Sequence, residues 1–584
     1  MRDRVRHRRQ ERHRGGHLLR GLPAGRELRD LPAGDGSHRR PPGCRHRDRG
    51  ARGHRAARCG GRVAGDPRGC RGAAGDQGGR RQAAGPALRP ARPRPRQNFG
   101  ANQQADTEGA GLRRRHLSAL VTGLVATALG LAWAGRPTIW YDEAVTLSLL
   151  ERPFGDTWTV LREIDAVHGA YYVALRGWSL LAGDSIEAVR AFSALGVGVT
   201  AAAVVLLVAR HQRLRTAVAA GLVCGIAPGL AWTALDGRSY AWSAAFAVLA
   251  TLALENACRN RKRPRDWVLY GAVCVLACCW HLYLALLVVG HGAAVMVGFP
   301  KGRVPWTLTA VGTAIAGVPI GLVAWSQRDQ VAWLTDTNYS GDRMLLNQLA
   351  SGQAADPDWL RWVFAIGLIA FALLGIAKLW RKSRRWLPSV LALWGGVPTV
   401  VAVVCAVVAD GGMHPRYVTF AVPAYAIAAT VGAFALPRWT PAVAAVAGLA
   451  VVVPILVAQR GESAKPDDLR RLSATAAEVD ADAVYFTVPK ARSIAAAYPE
   501  PFEDEVDISA DPDPELDPFF PTIRDAETIK GVDVDGLRVL VYGTRNDRAA
   551  DRLRELGCRS EPVTTDRHFV VTLFTCPSLS PAAR

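Results

Sequence analysis

Past Leu117 the chain runs as repeated apolar blocks, each nearly free of charge and each about twenty residues long, the length at which an α-helix crosses a hydrocarbon layer of roughly 30 Å. A water-soluble globule cannot bury so many helices that are apolar all round, so a single soluble domain is excluded. The blocks fall at 117–135, 187–209, 216–233, 239–256, 267–281, 282–299, 305–325, 361–380, 387–409, 416–436 and 441–458, which makes eleven candidate spans. The expected fold class is therefore a polytopic α-helical membrane protein.

Short basic loops set the orientation, because Lys and Arg beside spans stay on the cytoplasmic side. Such loops carry Arg113–Arg115; Arg210, Arg213 and Arg215; Arg259–Arg265; Lys301 and Arg303; and Lys378–Arg385. The intervening connections, including the long outer loops 136–186 and 326–360, are acidic or neutral. Strict alternation satisfies them all and puts the N-terminus in the cytoplasm and everything from Gln459 outside. Residues 267–299 have basic loops at both ends, so they must cross twice. Two spans there are short, and one is a candidate for a broken or re-entrant segment.

Composition divides the chain further. Residues 1–100 hold 27 Arg, no Lys and 8 Asp or Glu, a surplus of 19 in a chain whose net charge is +21. The rest is nearly neutral. A nucleic-acid-binding domain carries its charge on a folded face, which this distribution does not provide. Residues 1–115 read as a disordered Arg/Gly/Pro-rich tail with too little apolar surface to offset ordering. They are either a basic arm on anionic lipid or upstream codons read as protein at a mis-assigned start. Residues 116–458 form the membrane domain. Residues 459–584 alternate short apolar runs such as Ala483–Phe486 and Leu537–Tyr542 with amphipathic stretches such as Asp547–Leu556, which predicts a small extracytoplasmic α/β domain with a partly parallel sheet. Its two cysteines, Cys558 and Cys576, read equally as a disulfide or as two buried thiols.

In such a protein, polar groups at span ends carry the functional information. Four clusters fall on the outer face. Trp140-Tyr141-Asp142-Glu143 follows the first span, and Asp165, His168, Tyr171 and Tyr172 follow in the same loop. Asp236-Gly237-Arg238-Ser239-Tyr240 makes a short turn between spans 3 and 4, and His414-Pro415-Arg416-Tyr417 precedes Pro423 in span 10. Between them, Gln327–Leu334 is a polar turn that opens the second long loop. Taken singly, each has a bland reading: a solvated loop start, an aromatic interfacial anchor, or an Arg snorkelling to the head groups.

In their order and shared side, these clusters resemble the GT-C superfamily of membrane glycosyltransferases, in particular the family-39-like polyprenyl-phosphate-sugar transferases often described as mannosyltransferases. The resemblance spans about 117–458. The acidic pair of the first outer loop is matched by Asp142 and Glu143; the Asp, His and aromatics entering a helix by Asp165, His168, Tyr171 and Tyr172; the acid-x-Arg-x-Tyr turn by Asp236, Arg238 and Tyr240; and the Arg-Tyr with a following Pro by Arg416, Tyr417 and Pro423. Two positions depart: Gly169-Ala170 stands where many members carry Pro-Pro, and Asp236 where Glu is commoner.

The resemblance implies transfer of a hexosyl or pentosyl group, mannose-like, from a polyprenyl-phosphate donor to an extracytoplasmic glycan or protein acceptor in cell-envelope assembly. A lipid phosphate is already a good leaving group, so the protein must hold it and activate an acceptor hydroxyl. Asp142 is the candidate base, with Glu143 or Asp165 orienting it or a sugar hydroxyl. Arg238 and Arg416 would hold phosphate oxygens, and Tyr172, Asp236, Tyr240 and Tyr417 would line the substrate. His168 reads as a hydrogen-bonded structural residue or a ligand-binding one, and the need for a divalent cation stays open. A transporter or lipid flippase is the competing reading, although such proteins place ionisable groups near mid-membrane on broken helices. An inert scaffold carrying an outer binding domain is a third.

Overall fold

The computed structural model describes residues 99–336, 339–351, 358–381, 385–408, 413–511, 519–544, 548–566 and 568–578. The Arg-rich stretch 1–98, Lys382, Arg384 and Asp547 lie outside the described residues. Pro95–Arg584 forms one compact unit.

Helix α1 (Phe99–Leu131) carries the first apolar block. It starts earlier than composition suggested: residues 99–115, expected in the irregular tail, are its first turns. Once an apolar helix is nucleated, each added residue gains a backbone bond at little cost, so polar flanks extend it. Three short helices follow in the first long loop, α2 (Tyr141–Glu151), α3 (Phe154–Glu163) and α4 (Gly169–Ala182). Then come α5 (Ile186–Val208), α6 (Leu214–Ile226), α7 (Pro228–Ala234), α8 (Tyr240–Arg259), α9 (Pro264–Trp280), α10 (Ala285–Gly298) and α11 (Arg303–Ser326). Helix α12 (Gly341–Leu349) lies in the second long loop, and α13 (Asp358–Arg381), α14 (Trp386–Val408), α15 (Val422–Ala433) and α16 (Thr440–Ala458) complete the helical part.

All eleven apolar blocks lie in helices, of differing length. Six helices among the described residues are long and apolar enough to cross a membrane, or seven if α6 and α7 count together. Those two meet at a bend of 63°, placed at Ala227 because Pro228 excludes a helical conformation before it and cannot donate to the ladder. The 267–299 segment, where a break was expected, is interrupted at His281, whose extended backbone separates α9 from the 3₁₀ turn Leu282–Leu284 and α10. The block at 416–436 opens as a 3₁₀ turn, Pro415–Ala421, before α15. Where the backbone breaks, its free polar groups must face protein or water and not lipid.

The long helices show what surrounds them. In the apolar window of Pro300–Ser326 nothing is buried inside the protein, and Leu308, Ile315 and Leu322 are about two-thirds exposed. A belt of this kind is far larger than the scattered apolar surface of soluble proteins, and it identifies a lipid-facing, multi-pass membrane protein.

Beyond α16 the chain turns into a five-stranded mixed sheet, β1 (Ala483–Phe486), β2 (Val506–Asp507), β3 (Arg538–Gly543), β4 (Arg559–Thr565) and β5 (Val570–Thr575), ordered β2-β1-β3-β5-β4. Strand β1 pairs in parallel with β2 and β3, while β5 runs antiparallel to β3 and β4. Helix α17 (Leu469–Glu478) packs with it, and one hydrophobic core joins Leu472, Phe486, Leu540 and Phe569 of this part to Leu149 and Tyr171 of the first long loop. Cys558 and Cys576 form a disulfide just outside the β4–β5 pair, which settles the alternative left open by their spacing. The bond closes a separation of 18 residues, worth about 3 kcal/mol on the loop-entropy account. Reduction of the full-length protein is accordingly expected to speed amide hydrogen exchange in β4 and β5. Unchanged exchange would show that the hairpin is held by packing alone.

Candidate active site

Trp140 ends the extended stretch after α1 and stands before the first turn of α2, so Asp142 and Glu143 lie at the positive end of that helix. Adjacent residues on a helix point about 100° apart, and the two acids accordingly enter different surroundings.

Glu143 is wholly buried in a polar knot. Arg190, from the first turn of α5, donates through Nε to Oε1 at 2.9 Å and through Nη2 to Oε2 at 2.6 Å. The same guanidinium donates to the carbonyls of Ala134, Pro137 and Thr138 at 2.6–2.9 Å. The backbone N–H of Gly237 donates to Oε1 at 3.1 Å, and Lys465 Nζ stands 3.6 Å from it. Gly237 is needed there: a Cβ would fall 2.8 Å from Val189. Burial alone would push the Glu143 carboxyl up, but Arg190 and Lys465 outweigh it and hold it below the usual carboxylate range. Glu143, expected to orient the base or a substrate, thus has its oxygens committed to the scaffold.

Asp142 faces the other way, toward the turn at Asp236–Arg238 and the Pro415–Ala421 turn. Its Oδ2 lies 2.8 Å from Arg416 Nη1 and 3.7 Å from Arg238 Nε. Burial tends to raise this carboxyl, and the two guanidinium groups overcome that and keep it ionised, below its ordinary value. Arg416 lies against the rings of Trp140, Tyr240 and Tyr417, with its Cζ 5.0, 5.6 and 5.7 Å from their centroids. The Nε atoms of both Arg238 and Arg416 are buried without a hydrogen bond.

A second relay positions Arg238. Its Nη1 donates to the Tyr172 hydroxyl and lies 3.7 Å from Asp165 Oδ2, while Tyr172 donates to that same oxygen at 2.8 Å. His168 Nδ1 is 2.6 Å from Asp165 Oδ1, so the His is hydrogen-bonded in place. Burial would raise the Asp165 carboxyl, yet His168 and Arg238 hold it down at about 2. Asp165 adopts a left-handed backbone, φ 63°, which an Asp tolerates better than most side chains. The polar turn from the second long loop secures it: Gln330 Oε1 accepts from the Asp165 N–H at 2.8 Å and Gln327 Oε1 from that of Ala166 at 2.9 Å.

Asp236 sits between the two groups. Its Oδ1 accepts from Trp140 Nε1 at 3.2 Å and lies 3.7 Å from Lys465 Nζ. Burial dominates here and pushes its carboxyl up despite Lys465. Every residue expected from the sequence, Asp142, Glu143, Asp165, His168, Tyr172, Asp236, Arg238, Tyr240, Arg416 and Tyr417, therefore belongs to one contiguous constellation, buried except for the partly exposed His168 and Arg416. Among the described residues no three His, Cys, Asp or Glu come together as a metal-holding group. Asp142 and Asp165 already face guanidinium groups, so the donor set does not fit a divalent cation.

No protein-family model matches the sequence, and no curated protein matches it. Solved structures do match. ArnT from Cupriavidus metallidurans in the apo state is similar with a TM-score of 0.51 and 13% identity, over 80% of this chain and 98% of ArnT. The fold is like that of ArnT. The same ArnT bound to undecaprenyl phosphate gives 0.49 at 13% identity over the same shares. The archaeal oligosaccharyltransferase AglB from Archaeoglobus fulgidus, in complex with an inhibitory peptide and a dolichol-phosphate, gives 0.43 at 12% identity over 65% of this chain, which spans 63% of AglB's length. At such identities the likeness concerns the fold.

The sequence reading missed three partners. Arg190 was legible as a lone charge entering an apolar span. Lys465 looked like any polar residue of the tail, yet its side chain is fully buried and donates to the Leu235 carbonyl at 2.5 Å across 230 positions. His281 was hidden inside an apolar run.

Proposed function

We propose that the chain is an integral membrane glycosyltransferase of the family-39 type, moving a mannose-like sugar from a polyprenyl-phosphate donor to an extracytoplasmic hydroxyl acceptor in envelope glycan or glycoprotein assembly. The membrane domain is 116–458 and the extracytoplasmic domain 459–584, with the N-terminus cytoplasmic. The observation that carries the reading is the buried carboxylate of Asp142 held between Arg416 and Arg238. The GT-C-like fold shared with ArnT supports it.

In the chemistry proposed, the donor phosphate takes the two guanidinium groups, whose unbonded Nε atoms leave donors to spare. Asp142 thereby loses the cations that depress its carboxyl and becomes a better base at the moment the donor is seated. The acceptor oxygen forms the new bond to the sugar's anomeric carbon while the bond from that carbon to phosphate oxygen breaks. Asp142 takes the hydroxyl proton, and the lipid phosphate leaves with the electron pair, its charge met by Arg238 and Arg416. Asp165, His168 and Tyr172 hold Arg238 in place, and Glu143 with Arg190 fixes the helix that presents Asp142.

A transfer assay with radiolabelled polyprenyl-phosphate sugar and native membranes tests this; uptake of the lipid without transfer would return the carrier reading. Arg416→Lys is expected to raise the apparent KM for the donor about tenfold or more with the acceptor KM unchanged, because Lys keeps the charge but loses the planar fork. Unchanged constants would return Arg416 to snorkelling.

A further inference from the structure

A buried imidazole stands beside this site with nothing to bond to. His281, at the break between α9 and the Leu282–Leu284 turn, is 3% exposed, and neither ring nitrogen has a hydrogen-bond partner. Its ring meets that of His168 edge-on at 5.9 Å and those of Tyr240, Tyr283 and Tyr417 at 5.6–5.8 Å. Tyr240 and Tyr417 are the same rings that cover the Arg416 guanidinium.

A neutral imidazole offers one donor and one acceptor, and a buried polar group left unpaired is destabilising. That cost disappears if the pair is met by a ligand. Aromatic rings surround the imidazole, with Tyr283 and Tyr417 stacked on each other at 5.1 Å between centroids, and an aromatic face attracts the weakly positive C–H edges of a neighbouring group. A donor–acceptor pair framed by aromatic faces suits a sugar ring, with hydroxyls on its rim and C–H groups on its faces.

We infer that His281 binds the sugar of the lipid-phosphate donor, hydrogen-bonding a ring hydroxyl while Tyr240, Tyr283 and Tyr417 pack against the pyranose. The inference rests on the glycosyltransferase reading. The donor sugar is the choice over the acceptor because Tyr417 adjoins Arg416, the proposed phosphate ligand, and a sugar joined to that phosphate reaches the neighbouring ring. Removing the imidazole should then erase discrimination between the sugar-bearing lipid and the bare lipid phosphate without weakening the phosphate grip.

The test measures binding, not turnover, on the full-length protein in detergent, by quenching of intrinsic tryptophan fluorescence. The probes are polyprenyl-phosphate mannose and polyprenyl phosphate. Wild type is expected to prefer the sugar-bearing lipid about tenfold, the worth of one or two well-placed hydrogen bonds. His281→Phe, which keeps the volume and apolar contacts, should bind both lipids with the affinity that wild type shows for the bare one. His281→Gln, which restores a donor and an acceptor, should recover part of the preference and guards against a folding defect in the first variant. If His281→Phe prefers the sugar-bearing lipid as wild type does, the inference falls and the transferase reading stands. If wild type binds neither lipid, both fall.

Discussion

Asp142→Asn is expected to lower sugar transfer by about 10²–10⁴-fold, the range of general-base catalysis, while the protein still folds and binds donor. The change removes one negative charge and almost no volume. It also leaves Arg416 and Arg238 without the carboxylate that pairs with them at 2.8 and 3.7 Å. Two cations freed in this way should attract the lipid phosphate more strongly, so the variant is expected to bind bare polyprenyl phosphate at least as tightly as wild type. Loss of turnover with retained or improved donor binding separates a base from a phosphate ligand or a structural acid. Wild-type transfer by Asp142→Asn would overturn the assignment. Loss of turnover and binding together would move Asp142 to the scaffold.

The neighbouring acid should behave in the opposite way. Glu143→Gln leaves Arg190 buried with its counter-charge gone and Lys465 with Asp236 alone, and breaking a buried pair on one side typically costs about 3–5 kcal/mol. The expected result is a protein that inserts poorly or shows a markedly lower melting temperature in detergent, with activity falling in step with the folded fraction. Arg190→Met should do the same, leaving Glu143 without its two-point partner and three carbonyls without their donor. The double variant Glu143→Gln with Arg190→Met should lose less than the sum of the two, since neither charge is then stranded. Additive losses would show that the pair is not the energetic unit its geometry implies. Full stability with abolished transfer in Glu143→Gln alone would make Glu143 a catalytic group after all.

Much of this protein was legible from its sequence. Long apolar blocks must become helices in lipid, because an unpaired backbone group there costs several kcal/mol, and that alone yields the helical membrane domain and its contrast with the mixed tail. Even the breaks had signals, in Pro228 and in the two short blocks around His281. The polar residues at the span ends could be named for the same reason, since charge near hydrocarbon is retained only with a partner. What composition could not supply was the length of each helix as folded. The eleven blocks fold as long helices, a bent pair and shorter pieces, because an interior shielded by neighbouring helices accepts segments that lipid alone would not. Which partner each charge takes was decided only by the tertiary structure. Asp142 and Glu143 are adjacent and chemically near-identical, yet one meets Arg416 and the other Arg190. The helix turn between them separates their directions, and the partners come from elements far along the chain. Lys465 and His281 are known as site residues only because the fold buries them beside it. Spacing carries no information about contacts of that range, since packing and not chain distance brings them together.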